Sequence, residues 1–175
     1  MKDNLEIERK YLIKMPSRDT LLLQDACVCD KIEQTYIESE TGVTARVRKR
    51  EGGERVEYTV TQKIRLTPVT CIEDEAVISE NEYNELLKTR IAGLCTVEKL
   101  RYSFPYAGKI VEIDVYPFWD SVAILEVELS AEDEQFSLPE FISVICEVTS
   151  DRRFKNRALA ECIPDVKDFI KEEKQ

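Results

Sequence analysis

The chain has 175 residues, 43% of them hydrophobic, and a formal net charge of -10. This length suits one well-packed domain, so we expect a single domain over residues 1–175 with its core at about residues 5–164. The negative charge argues against general binding to nucleic acid or to an anionic membrane surface, because both would repel the protein. We therefore expect no nucleic-acid partner and no membrane partner.

The chain contains six cysteines and no histidine. The absence of histidine excludes nucleophilic machinery of the Ser-His and Cys-His kinds. There is no apolar signal segment and no closely framed cysteine pattern, so we interpret the thiols as reduced and expect a cytoplasmic location. Any chemistry must therefore use carboxylates, lysines, tyrosines or a metal ion.

The first half of the chain reads mainly as strands. A strand from about residue 5 to 13 would place Glu6, Glu8 and Lys10 on one face, because side chains two apart in a strand point the same way. Residues 19–26 form a leucine-rich segment that is either a short helix or a strand. The glycines of residues 51–54 predict a hairpin between strands over 43–50 and 55–64.

The second half alternates strands with helices. A strand over residues 69–78 precedes a helix that begins at Ser79, where Glu82 completes a capping-box pattern, and runs to about residue 89. Strands are predicted over 96–106, 109–116 and 123–129. A capped helix is predicted from residue 150 or 151 to about 162, and residues 165–174 form a polar terminal helix or a tail.

Charged residues recur at every second position in the predicted strands, with apolar residues between them. The simplest reading is a set of solvated strand faces. If the sheet closes on itself, however, the charged face lines a lumen and helices cover the apolar face. Two carboxylates about 4 Å apart repel by roughly 4 kcal/mol at an effective dielectric near 20, so such a lumen calls for bases or divalent metal ions. The recurring charges are Arg46 and Arg48, Lys63, Glu73 and Glu75, Lys99 and Arg101, Glu112 and Asp114, and Glu126 and Glu128.

The opening Glu6-Ile7-Glu8-Arg9-Lys10 resembles the E-x-E-x-K signature of the triphosphate tunnel metalloenzymes, also called CYTH proteins. The later charge pairs follow in the order that this family shows, and residues 147–156 resemble its closing loop and helix. The resemblance implies an α+β fold: a closed eight-stranded antiparallel β-barrel with helices packed outside. It also implies a charged tunnel that holds a linear triphosphate and a divalent metal ion, Mg²⁺ or Mn²⁺.

The resemblance assigns roles to residues position by position. One departure is Cys71, which stands where a basic residue is common, so one phosphate contact is expected to be missing. Glu73 and Glu75 have less certain roles, either orienting the bases or binding a second metal. Proton transfer is assigned to Lys99 or to Glu112. The implied metal ligands are Glu6, Glu8, Asp114, Glu126 and Glu128, and the implied substrate-binding residues are Lys10, Arg46, Arg48, Lys63, Lys99, Arg101, Arg153 and Lys155.

The leading functional hypothesis is metal-dependent hydrolysis of a triphosphate by direct attack of water. Inorganic tripolyphosphate is the expected best substrate and nucleoside triphosphates are weaker ones. The alternatives are a class IV adenylate cyclase, which makes cyclic AMP and pyrophosphate from ATP, a thiamine triphosphatase, and a polyphosphate-binding module without catalysis. An apolar sheet face left uncovered by helices would favour a homodimer.

Overall fold

The computed structural model describes residues 5–171, and within them the strands form a closed antiparallel barrel. Around the barrel the order is β1-β8-β7-β6-β2-β3-β4-β5, and β5 pairs again with β1. The expectation of a closed eight-stranded barrel is therefore confirmed. The strands are β1 (Leu5–Lys14), β2 (Val28–Ile37), β3 (Thr44–Gly52), β4 (Arg55–Arg65), β5 (Thr70–Ile78), β6 (Val97–Tyr106), β7 (Lys109–Val115), β8 (Val122–Leu129) and β9 (Val144–Glu147).

Strand β1 is the seam at which the barrel closes. One of its edges pairs with β8 along the register from Ile7↔Leu129 to Lys14↔Val122. The other edge is shared, because β5 pairs with its first residues and β9 with residues 11–13. Because both edges of β1 are paired, neither is left as an open sheet edge.

The apolar residues that alternate with the charged residues along the strands lie on the outer face of the barrel. Leu21 of α1 (Arg18–Leu22) and the chain over residues 136–142 cover the outer faces of β1, β6, β7 and β8. Tyr83 of α2 (Glu80–Leu86) packs on Val47 and its neighbours outside β2, β3 and β4. Helices and a loop thus bury the apolar side of the sheet, and this arrangement turns the charged side inward.

A third apolar cluster fills one end of the barrel interior. Leu12 and Ile124 lie on the inner faces of β1 and β8, and Tyr116 directly follows β7; these residues pack with Phe154 and Trp119 from the connecting segments. Trp119 is thus a packing residue. The C-terminal part of the chain therefore closes this end of the barrel on the side of β1, β7 and β8.

The helices agree with the sequence-based expectations at two places and differ at a third. The undecided leucine-rich segment is α1, capped by Ser17, and α2 is followed by a 3-10 helix over Leu87–Thr89. The continuous helix expected over about 151–162 is wrong. Lys155 has extended backbone (φ -80°, ψ 138°), which separates a 3-10 helix (Arg152–Phe154) from α3 (Asn156–Leu159).

The chain continues after α3 into α4 (Lys167–Lys171), which begins within the polar segment predicted as a helix or tail. The last three residues of that segment, 172–174, lie outside the described residues. Among residues 5–171, every helix is shorter or less apolar than a bilayer crossing would require.

The predicted capping box at the start of α2 is present. Ser79 accepts a hydrogen bond from the Glu82 backbone N–H at 3.2 Å, and the Glu82 carboxylate accepts from the Ser79 backbone N–H at 2.8 Å. We expect Ser79→Ala to lower the free energy of unfolding by about 1 kcal/mol, because a helix N-terminal donor loses its acceptor. Urea denaturation measures this, with Ser137→Ala in an exposed loop as control; equal effects of the two changes would contradict the assignment.

Candidate active site

The register of the barrel gathers charges from four strands into one interior band, which we call the tunnel. Lys10 of β1 lies opposite Glu126 of β8, and Glu126 lies opposite Glu112 of β7. Arg101 of β6 lies opposite Asp114 of β7. Residues far apart in sequence therefore face the same enclosed space, because each strand turns its charged face inward.

A dense network of ion pairs occupies the centre of the tunnel. Glu126 accepts hydrogen bonds from the Lys10 ammonium and, at 2.6 Å, from the Arg101 guanidinium. Arg101 also donates to both oxygens of Asp114 at 2.7 Å and contacts Glu112. These groups are charged and mostly buried, so the free energy of folding depends on their mutual pairing.

The pairing keeps the central groups ionised despite their burial. Burial alone would raise the pKa of Glu126, but the charges of Lys10 and Arg101 hold it well below its usual range. Burial would also lower the pKa of Lys10, yet the carboxylates of Glu126 and Glu8 raise it. Opposite charges thus dominate over desolvation at the centre of the tunnel.

Lys99 lies completely buried in the tunnel wall. Its ammonium donates to Asp114, which is equally buried, and lies 5.9 Å from the ring centroid of Tyr116. Burial, together with the charge of Arg101, lowers the pKa of Lys99 to about 8. Tyr116 in turn donates to Asn156 Oδ1 at 2.7 Å, which ties the C-terminal segment to this part of the tunnel. Lys99 therefore releases a proton more readily than a solvated lysine does.

Arg46 and Arg48 of β3 are held more loosely. Arg46 lies 3.3 Å from Glu73, and Arg48 lies 3.4 Å from the Gln34 amide oxygen and 3.7 Å from Glu75. The Nε atoms of both arginines are buried without a hydrogen-bond partner. Burial and the neighbouring arginines lower the pKa of Arg48 to about 10. Both side chains thus present donors that an anion would satisfy.

The tunnel opens into a cavity of about 780 Å³ beside the C-terminal segment. Lys155 reaches into this cavity, and its Nζ is buried without a hydrogen-bond partner. Burial and the charge of Lys10 lower the pKa of Lys155 to about 8. Basic residues dominate the lining, which includes Lys10, Arg46, Lys63, Arg65, Arg152, Lys155 and Arg157, together with Glu8 and Glu161.

Arg153 is a predicted substrate-binding residue that the structure brings neither to the tunnel nor to this cavity. It donates to Asp151 at 2.6 Å and its guanidinium lies 5.2 Å from the ring centroid of Phe169. Its neighbours Arg152 and Arg157 line the cavity instead. Sequence reasoning missed these two because it treated residues 151–162 as one helix, and the break at residue 155 changes which side chains face inward.

Several carboxylates gather near Glu128 on the inner face of β8. Burial and the charges of Glu6, Glu112 and Glu8 raise the pKa of Glu128. Such mutually repelling groups offer only oxygen atoms, which are the ligands that Mg²⁺ and Mn²⁺ prefer. Glu6, Glu8 and Glu128 therefore fit a hard divalent ion, which would relieve their repulsion. Glu126 would first have to release Lys10 or Arg101, because its two oxygens accept hydrogen bonds from these bases.

Asp114 fits the role of a metal ligand less well. Both of its oxygens accept hydrogen bonds from Arg101, and Oδ2 also accepts one from Lys99. Burial would raise its pKa, but these two cations lower it. Asp114 therefore serves first to hold the two bases, and a metal ion would have to displace one of them.

Inside the tunnel, the first residues of β1 contact β4 and β5. Lys63 contacts Glu6 and lies 2.7 Å from Glu73. Cys71 lies opposite Glu6 and donates to its carboxylate at 3.1 Å, and ligand atoms of Glu6, Cys71 and Glu73 lie within 4.8 Å of one another. Burial and this hydrogen bond raise the pKa of Cys71 to about 11. A neutral thiol thus stands where the sequence comparison led us to expect a missing phosphate contact.

The fold and the tunnel together define a class of protein: a closed antiparallel barrel that encloses carboxylates and incompletely paired bases and is open to a basic cavity. The profile of the CYTH domain matches residues 4–154. The chain belongs to the CYTH family.

Two curated relatives match nearly the whole chain. An inorganic triphosphatase of Acetivibrio thermocellus is 30% identical over 160 residues, covering 89% of this chain and 93% of that protein. An inorganic triphosphatase of Nitrosomonas europaea is 31% identical over 172 residues, covering 91% and 99%. The crystal structure of the inorganic triphosphatase NE1496 superimposes with a TM-score of 0.55 at 30% identity over 91% of this chain and 97% of that one. The PH1819 protein of Pyrococcus horikoshii, with 20% identity over 73% and 80% of the two chains, shares the fold with a TM-score of 0.54.

The two glutamates on the inner face of β8 provide a test of the tunnel's electrostatics. We expect Glu126→Gln to lower the free energy of unfolding by about 3–5 kcal/mol, because it leaves Lys10 and Arg101 without their shared carboxylate. Glu128→Gln removes a charge that its neighbours repel, so it should not destabilise the protein. Urea denaturation at neutral pH measures both.

The pH dependence of the free energy of unfolding tests the raised pKa of Glu128. Its pKa in the folded protein is raised above the unfolded value, so the folded state binds more protons between the two values and its stability falls as pH rises through this window. Glu128→Gln should remove that part of the slope. An equal loss of stability in Glu126→Gln and Glu128→Gln would contradict this account of the tunnel.

Proposed function

We propose that the protein hydrolyses a triphosphate with the help of a divalent metal ion, and that inorganic tripolyphosphate is its best substrate. The observation that carries the proposal is the set of buried cationic donors without partners beside a cluster of carboxylates. Arg46 Nε, Arg48 Nε and Lys155 Nζ are buried and unpaired, and Glu128 stands among acids that raise its pKa. A polyanion with a metal ion satisfies both groups at once.

The relatives support the same activity. Both curated relatives are named inorganic triphosphatase, and each is matched over at least nine-tenths of its length. The residues that we assign to the chemistry lie within the matched family domain, apart from Lys155, which follows it directly. The shared fold, the shared name and the unpaired donors thus point to one substrate class.

In the proposed mechanism the bases position the phosphate chain. Arg46 and Arg48 bind equatorial phosphate oxygens through their free Nε groups, and Lys155 binds the end of the chain at the cavity. Lys63 and Lys10 exchange part of their contact with carboxylates for contact with phosphate. These preorganised donors stabilise the charge that grows on the phosphate oxygens in the transition state.

The carboxylates of Glu6, Glu8, Glu126 and Glu128 would hold Mg²⁺ or Mn²⁺. When bound, the metal ion would supply positive charge to the phosphate groups and would lower the pKa of an attacking water molecule. Glu112, which contacts Arg101 and is partly exposed, is the first candidate to accept the proton of that water. Lys99, whose pKa is lowered to about 8, contributes charge to the bound phosphates and is the second candidate for proton transfer.

We also propose a cytoplasmic location and action as a small-molecule enzyme without nucleic-acid or membrane partners. The six cysteines, all within the described residues, form no disulfide, which suits a reducing compartment, and the net charge of -10 opposes contact with polyanionic surfaces. Association into a homodimer remains a prediction. Leu5, Ile64 and Ile72 are exposed on the outside of β1, β4 and β5, which is the face that such a contact would use.

Phosphate release is the direct test of the proposal. We expect release from tripolyphosphate with Mg²⁺ or Mn²⁺, slower release from ATP and thiamine triphosphate, and none with excess EDTA. Glu128→Gln should lose the metal-dependent activity, whereas Glu98→Gln on the outside of β6 should keep it. Cyclic AMP and pyrophosphate from ATP would instead indicate a cyclase, and binding of tripolyphosphate without turnover would indicate a binding module.

Arg48 provides a second test, aimed at the phosphate cradle. We expect Arg48→Met to lower kcat/KM for tripolyphosphate by about 100-fold, the size of loss that follows removal of one preorganised donor. Arg55→Met, at the start of β4 and more than half exposed, is the matched control. Steady-state kinetics of both variants give kcat/KM for tripolyphosphate. Similar kcat/KM values for Arg48→Met and Arg55→Met would exclude Arg48 from phosphate binding.

A further inference from the structure

The inner face of β3 carries three arginines at every second position, Arg46, Arg48 and Arg50. The first two are incompletely paired, as described above. Arg50 differs from them, because its Nε and Nη2 atoms both lie 2.5 Å from Asp30 Oδ2 on the neighbouring strand β2. The run of available cations along β3 therefore ends after Arg48.

Asp30 is built into the barrel wall. Its side chain is almost fully buried, and it lies opposite Arg101 in the pairing of β2 with β6. Its second oxygen, Oδ1, occupies the space beside Gly52, where an added Cβ would lie only 1.7 Å away. The absence of a side chain at Gly52 makes room for this carboxylate, so the pair of Asp30 and Arg50 is a fixed feature of the fold.

The carboxylate changes what this end of the tunnel can bind. It holds the guanidinium of Arg50, and its own oxygens only accept hydrogen bonds, so they offer no donor to a phosphate. Arg48 and Arg50 are separated by one strand repeat, roughly 7 Å. A phosphate chain lying along Arg46 and Arg48 therefore meets a neutral ion pair within about one repeat, and finds no free cation there for a further phosphate.

We propose that Asp30 is a specificity-determining residue that limits the length of the bound phosphate chain. By holding Arg50, Asp30 leaves a further phosphate without a cation and so favours tripolyphosphate over longer linear polyphosphates. This inference rests on the proposed function, because it concerns the same tunnel and the same class of ligand. No catalytic role is assigned to Asp30.

The test measures binding rather than turnover. Calorimetry in EDTA gives the Kd values of tripolyphosphate and tetrapolyphosphate for the unchanged protein and for Asp30→Asn. We expect Asp30→Asn to improve the affinity for tetrapolyphosphate about 10-fold more than that for tripolyphosphate. The matched control is Asp74→Asn, which removes the same charge from the exposed outer face of β5 and should leave the ratio of the two Kd values unchanged.

A second variant, Arg50→Met, should change the ratio of the two Kd values in the opposite direction. It leaves the Asp30 carboxylate without its partner, so it should weaken the binding of tetrapolyphosphate more than that of tripolyphosphate. Thermal melting confirms that each variant is folded. If Asp30→Asn and Arg50→Met both have the same ratio of Kd values for tetrapolyphosphate and tripolyphosphate as the unchanged protein, the inference is overturned while the proposed function stands. If the unchanged protein binds neither anion, in EDTA or with Mg²⁺, the proposed function itself fails and the inference falls with it.

Discussion

Enclosing many charges of both signs inside a small barrel is the constraint on which this structure depends. A buried ion that loses its partner costs several kcal/mol, so each charge must meet an opposite charge at short range. The network of Lys10, Arg101, Glu126 and Asp114 does this at the tunnel centre, where opposite charges override desolvation in setting pKa values. The fold is therefore stable around a polar interior because that interior is paired with itself.

Closure of the sheet follows from the same constraint. The apolar halves of the strands face outward and need cover, which α1, α2 and the chain over residues 136–142 supply. Strand β1 contributes both to the covered apolar outer face and to the paired charged interior. Its outward residues join the apolar clusters, while Glu6, Glu8 and Lys10 join the charged interior, and its two edges complete the ring. An apolar plug that includes Phe154 closes one end of the interior.

The sequence predicted the parts of this arrangement that local periodicity controls. Alternation places Arg46, Arg48 and Glu126 on the inner face, and the capping box places the start of α2. Periodicity does not control the extended backbone at Lys155, which splits the expected C-terminal helix and brings Arg152 and Arg157, rather than Arg153, to the cavity. It also says nothing about which charges pair across strands, so the contact of Asp30 with Arg50 became visible only in the folded chain.

In the proposed mechanism, substrate binding is an exchange of partners: carboxylates would release bases to phosphate and take up a metal ion. Diffraction from crystals grown with tripolyphosphate and Mn²⁺, using the anomalous signal of manganese, tests this most directly. We predict a manganese peak at carboxylates of β1 and β8, with phosphate density on Arg46 and Arg48. Tripolyphosphate density outside the barrel, with the ion pairs of the tunnel unchanged, would contradict the account.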